Sequence, residues 1–223
     1  MPVKPLACLI AAALPCLALA FAQEPAPAPK KTPQDDASYI GAVSCRSCHR
    51  SKAKGEQYVH WSTKTPHPNA YDTLASEKSK EVAAKLGVAD PQKDPACLRC
   101  HATAFGVDAK KIEKSFKPEM GVQCESCHGP GSYHKEQRLK AAAAKGADAA
   151  QAASNTTLDI PKDEIRLPTE AVCRSCHNQD SPTYKPYEHK EFLPKVAHPN
   201  PQRKRAAEAA PADGAPQAPK TGG

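Results

Sequence analysis

Aromatic residues are scarce in this chain of 223: one Trp, four Phe and six Tyr make up 5% of it, against 25% charged residues. So few large apolar side chains cannot repay the conformational entropy of a chain this long, which excludes an ordinary side-chain core. Long apolar runs are lacking as well. The one candidate, Leu6 to Leu19, is shorter than the ~20 residues a spanning helix needs, and no later segment is apolar enough to cross a bilayer. Spare cysteine is the third shortage, and it becomes visible only once the cysteines are placed.

What the apolar run does suit is export. Lys4 supplies a positive start, Leu6 to Leu19 the apolar stretch, and Ala20-Phe21-Ala22 a small-residue cleavage site before Gln23. Residues 1–22 are therefore predicted to be a signal peptide, with the mature chain periplasmic or otherwise exported. Of ten cysteines, Cys8 and Cys16 lie within that segment. The remaining eight fill four copies of one motif: Cys45-Cys48-His49, Cys97-Cys100-His101, Cys124-Cys127-His128 and Cys173-Cys176-His177. No thiol is left over for a disulfide.

Cys-x-x-Cys-His is the attachment signature of a c-type haem. Two thiols one backbone turn apart reach both vinyl groups of the macrocycle, and the adjacent imidazole falls beneath the ring to ligate iron. Zinc knuckles or redox dithiols are the alternative for a Cys-x-x-Cys pair. Neither requires a histidine directly after every second cysteine, and all four pairs here have one. Four covalently bound haem c groups would also supply the missing core, with the polypeptide as a thin shell, so the chain without haem is not expected to fold. The formal charge of +7 is then misleading. Two propionates per haem cancel it and each ferric iron core returns about one positive charge, which leaves the oxidised protein weakly basic, the reduced one roughly neutral or slightly acidic, and no case for a nucleic-acid partner.

The predicted fold is mainly α with little or no sheet: short helices and loops wrapped around four haems. Residues 23–38, rich in Pro and Ala, read as a disordered leader, 39–199 as the tetrahaem domain with order beginning near Tyr39, and 200–223 as a disordered tail. Within the domain, helices are expected from Ser51 to Trp61, from Ser76 to Leu86 with Ser76 as cap, from Tyr133 to Ala153, and at the fourth motif with Thr169 as cap. Ala104–Val107 and Ser115–Lys117 suggest a small hairpin. Intervals of 52, 27 and 49 residues between successive motifs exclude a regular solenoid. The short middle interval makes the second and third haems neighbours. Gly129-Pro130-Gly131 is expected to let backbone approach a macrocycle closely.

Nine histidines are present. Four are proximal by motif, which leaves His60, His67, His134, His189 and His198 for the far side of the irons. Two imidazoles on one iron make a low-spin electron-transfer site, and one leaves room for a small ligand. Counting alone does not decide between them.

Cys45-Arg-Ser-Cys-His followed by Trp61 and Pro66-His67-Pro68-Asn69-Ala70 resembles the cytochrome c-554 family of tetrahaem cytochromes. So do Cys97-Leu-Arg-Cys-His-Ala-Thr-Ala-Phe105-Gly106, Gly121-Val-Gln-Cys-Glu-Ser-Cys-His-Gly-Pro-Gly131 and Ser181-Pro-Thr-Tyr-Lys-Pro-Tyr187. The likeness runs from about Tyr39 to His198. It implies three bis-histidine haems, with His134 opposite His49, His198 opposite His128 and His67 opposite His177. It also implies a five-coordinate second haem on His101, for which Lys185-Pro186-Tyr187 is a natural cap. His60 and His189 have no counterpart in the pattern. Each is a surface histidine or a candidate to close the second haem.

Two functions follow as expectations. The first is electron transfer between redox proteins, with a multihaem oxidoreductase as donor and a membrane or periplasmic cytochrome as acceptor implied by the resemblance. The second is enzymatic, the reduction of nitric oxide or a similar small nitrogen or oxygen species at the His101 haem. A scaffold module of a larger multihaem complex is a third class that composition does not separate from these.

Overall fold

Every described helix is short, with 13 residues in the longest, and so marginal at best if it stood alone in water. The computed structural model describes residues 32–144 and 164–198, all within one unit, Thr32–Gly223. The predicted signal segment, the predicted leader to residue 31, residues 145–153 of the expected long helix and the predicted tail, 200–223, lie outside the described residues. Among those described, nine α-helices are joined by turns and 3-10 segments. They are α1 (Ala42–His49), α2 (Gln57–Lys64), α3 (Ala70–Thr73), α4 (Glu77–Lys85), α5 (Pro95–His101), α6 (Cys124–His128), α7 (Ser132–Ala144), α8 (Glu170–Arg174) and α9 (His189–Val196). No strand occurs among them. A lone parallel bridge joins Tyr39 to Ile112, so the mainly helical reading holds.

Local chemistry explains several boundaries. Ser76 caps α4 by accepting the Ser79 amide at 3.2 Å, and Gly87 follows the helix at φ +71°. Asp94 caps α5 by accepting the Ala96 amide at 2.8 Å, with Pro95 in the first turn. Thr169 stands at the start of α8 but its side chain makes no capping bond.

Three expectations need correction. Ser51 to Trp61 is not one helix: a 3-10 turn, Lys52–Lys54, ends at Gly55 (φ +95°) and Glu56 (φ +52°), and α2 starts afresh at Gln57. Two successive left-handed residues cannot continue a right-handed helix. The hairpin is absent too. Ala104 (φ +59°) and Gly106 (φ +77°) fold that stretch into a turn, while Tyr39 donates to the Lys111 carbonyl at 2.7 Å and accepts from the Glu113 amide at 2.9 Å. Order also begins before Tyr39, with a 3-10 turn at Pro33–Asp36 whose Gln34 is buried.

The core is sparse, as the composition demands. Buried apolar residues are Ile40, Trp61, Leu74, Tyr187 and five alanines. Polar groups tie the shell together instead. The amides leading into α1 are capped by side chains from the third motif. Glu125 accepts from Ile40 (2.9 Å), Gly41 (2.8 Å) and Gly131 (2.7 Å), and Gln123 accepts from Ala42 (2.8 Å). Helix-start amides have no partner within their own helix, so this clamp completes α1 and sets the first motif beside the third.

Candidate functional site

A cavity of ≈ 1650 Å³ occupies the place of the missing core. Single ligand pockets run to about 300–1,000 Å³, so this space suits several large groups. Its wall includes all eight motif cysteines, the four motif histidines and His67, His134 and His198. All eight cysteines are free and partly buried.

In α1, α5 and α6 the two cysteines of each motif are three positions apart, which brings both thiols to one helix face. At the fourth motif α8 stops at Arg174, but the His177 amide still donates to the Cys173 carbonyl at 2.9 Å, so the helical turn persists. Thiols also meet between motifs. Cys45 lies beside Cys124 and Cys100 beside Cys176. The first motif thus adjoins the third, and the second adjoins the fourth.

The histidine rings fall into pairs. Ring centroids are 6.0 Å apart for His49 and His134, 6.2 Å for His67 and His177, and 5.8 Å for His128 and His198. Two metal–nitrogen bonds of ~2 Å plus two half-rings give about 6 Å between centroids. Each distal candidate therefore stands opposite a proximal one, at a spacing that admits one metal ion between them. No such ring pair is recorded for His101 among the described residues.

Neighbours determine which ring nitrogen is available. Nδ1 of His101 lies 2.7 Å from the Ala70 carbonyl, Nδ1 of His128 2.9 Å from the Arg166 carbonyl, and Nδ1 of His134 2.7 Å from the Glu164 carboxylate. These oxygens only accept, so Nδ1 carries the proton and Nε2 keeps its lone pair for a metal. His49 Nδ1 is 3.2 Å from Oε1 of Gln57, whose amide nitrogen bonds the Lys54 carbonyl and so turns the oxygen toward the ring. Burial lowers the basicity of His49, His67 and His177, and lowers His134 and His198 to about 4. All five are then neutral imidazoles at pH 7, the form that binds metal.

No cluster of three or more His, Cys, Asp or Glu that would suit a bare metal ion lies among the described residues. Four-ligand zinc sites need such clusters, whereas a haem brings its own four nitrogens and asks the protein for one or two axial ligands. The thiol pairs, the ring pairs and the cavity fit haem c.

Several residues stand differently from the expectation. Tyr187 stacks on His177, with centroids 5.0 Å apart and an interplanar angle of 16°, so it belongs to the fourth motif's surroundings rather than capping the second. Lys185 and Pro186 do line the cavity. His60 is not a plain surface histidine. Its Nε2 is buried without a hydrogen-bond partner among the described residues, and its ring lies 6.5 Å from that of His198. His189 Nδ1 lies 3.0 Å from the Tyr187 hydroxyl. The glycines around the third motif serve chain-to-chain contact. A Cβ on Gly121 would stand 2.8 Å from both the His67 and the Pro68 carbonyls, and one on Gly131 would press on Ile40 and Glu125. Gln57 and Glu164 are site residues that no motif or spacing announces.

Four Cys-x-x-Cys-His motifs around one shared cavity, in a helical shell with little core, fit a multihaem c-type cytochrome. Comparison with known proteins narrows the class. Residues 44–129 match the family described as cytochrome c554 and c-prime. That region holds three of the four motifs. The chain is 31% identical to cytochrome c-554 of Nitrosomonas europaea over 147 residues, 64% of this chain and 58% of that protein. It is 31% identical to the multiheme cytochrome MtrA of Shewanella baltica over 127 residues, 51% of this chain and 34% of that protein. The chain thus spans less than two thirds of either relative. No solved structure matches it. No described helix is long and apolar enough to cross a membrane.

Proposed function

We propose that the chain is an exported tetrahaem cytochrome that passes single electrons between redox proteins. Cys45 and Cys48, Cys97 and Cys100, Cys124 and Cys127, and Cys173 and Cys176 would each hold one haem c. The axial pairs would be His49 with His134, His128 with His198 and His177 with His67, while His101 would serve alone. The observation that carries this reading is the set of three histidine ring pairs at 5.8–6.2 Å.

Bound haem supplies a one-electron ferric/ferrous couple. The rest falls to the polypeptide. Neutral, buried imidazoles with a fixed Nε2 hold a metal in the same ligation in either oxidation state, which keeps reorganisation small. The Cys45–Cys124 and Cys100–Cys176 contacts draw attachment sites together, and the Glu125 and Gln123 clamp keeps the first of those junctions rigid. Donor and acceptor would be other redox proteins, a multihaem oxidoreductase and a membrane or periplasmic cytochrome.

A second reading has one observation in its favour, that His101 has no histidine ring partner among the described residues. It is reduction of nitric oxide or a similar small molecule at that haem. Haem counting with electron paramagnetic resonance tests both. Four haems per chain, three low-spin and one high-spin, is the expected result. A ferrous sample that binds neither carbon monoxide nor nitric oxide ends the second reading, and fewer than four haems ends the first.

A further inference from the structure

Four of the histidines have a defined acceptor at Nδ1, and one acceptor differs from the others. His49, His101 and His128 face the neutral oxygens of Gln57, Ala70 and Arg166. His134 faces a carboxylate, Oε1 of Glu164, at 2.7 Å. Glu164 is 1% exposed. Its second oxygen is paired with Arg138, and its backbone carbonyl accepts from Gln34 Nε2 at 3.0 Å. The carboxylate is thus held in place on both sides and shielded from water.

We propose that Glu164 is a positioning residue that lowers the reduction potential of the haem held by His49 and His134. The inference rests on the ligation reading above. A ligating histidine that gives its other N–H to a carboxylate becomes a more basic ligand with a fixed ring orientation. Such a charge-assisted bond is roughly twice as strong as one to a neutral oxygen, and exclusion of water strengthens it further. A more electron-rich imidazole favours the ferric state. The buried negative charge acts in the same direction, because reduction adds an electron beside it. Arg138 moderates both effects by drawing on the other carboxylate oxygen.

A purely structural Glu164, one that merely docks residues 164–166 against α7, would not move a potential. Spectroelectrochemical titration of the holoprotein, with electron paramagnetic resonance to follow each low-spin iron, separates the roles. In Glu164→Gln the hydrogen bond survives and the charge is lost. One haem is then expected to gain at least tenfold in its reduced-to-oxidised ratio at fixed potential, about 59 mV for one electron. Arg138→Gln should shift the same haem the opposite way. If both variants titrate as wild type while His134→Met alters the spectrum of one haem, ligation stands and the role of Glu164 is overturned. If His134→Met changes no haem, both readings fall together. Should Glu164→Gln fail to yield holoprotein, Arg138→Gln decides alone, and an unchanged potential there overturns the proposal.

Discussion

The seam between the first and third motifs and the seam between the second and fourth are built from different materials. At the first, Gln123 and Glu125 are almost fully buried and accept three backbone amides, those of Ile40, Gly41 and Ala42, across more than eighty positions of sequence, while Glu125 also accepts the nearby Gly131 amide. At the second, an Arg99–Asp180 ion pair at 3.4 Å joins side chains that are 50% and 68% exposed. Buried amides must be paired or pay the full desolvation cost, whereas exposed ion pairs contribute little. One seam is therefore a structural keystone and the other a loose closure. The half with His101, which has no histidine ring partner among the described residues, lies on the loose side.

The strongest way to break that contrast is Glu125→Ala. It would strand three amides, those of Ile40, Gly41 and Gly131, in a dry setting. At about 1–3 kcal/mol for each unpaired group, the loss approaches the whole stability of a domain. Little holoprotein should accumulate, as measured by haem yield per chain. Near-normal yield would show that the clamp is dispensable.

Gly121→Ala tests how the clamped region positions a distal histidine. The new methyl would meet the His67 and Pro68 carbonyls at 2.8 Å, and φ of +67° adds about 1–2 kcal/mol of left-handed strain. His67 is also held by the Val122 amide, which donates to its carbonyl at 3.0 Å. Displacing that backbone should move the imidazole away from His177. The low-spin signal of the haem on His177 should weaken while those on His49 and His128 persist. Equal loss at all three would point to general unfolding instead.

These tests separate what was legible in the sequence from what was not. The four Cys-x-x-Cys-His motifs are legible directly, because covalent haem attachment demands that fixed spacing on a single turn, and the described residues bring all four to one cavity. The helical shell followed from the lack of aromatic residues and the crowding of motifs. Gln123 and Glu125 were visible only as letters within a string, since their work is done at Ile40–Ala42, far away in the chain. Glu164 had no signal at all. It is one acid in a charged stretch, and it matters because tertiary folding carries it to His134. Tyr187 is hard to place for a similar reason, as sequence distance from His101 and His177 does not reveal that it stacks on His177. The hairpin failed on backbone sign: an alanine at φ +59° leaves no trace in hydropathy.

Arg99→Ala should have the smallest effect. The pair with Asp180 is solvent-exposed on both sides, so its removal is expected to cost less than about 1 kcal/mol. Haem content and the three low-spin signals should stay as in wild type, and the thermal midpoint should move by only a few degrees (roughly 4 °C or less for a chain of this size). The informative quantity is carbon monoxide binding to the ferrous protein. Cys100 and Cys176 sit beside this pair and beside each other. If the seam is the loose closure described above, loosening it further should speed ligand association at the His101 haem and leave stability nearly untouched. A loss of stability comparable to that of Glu125→Ala would instead make both seams keystones and remove the distinction between the two halves.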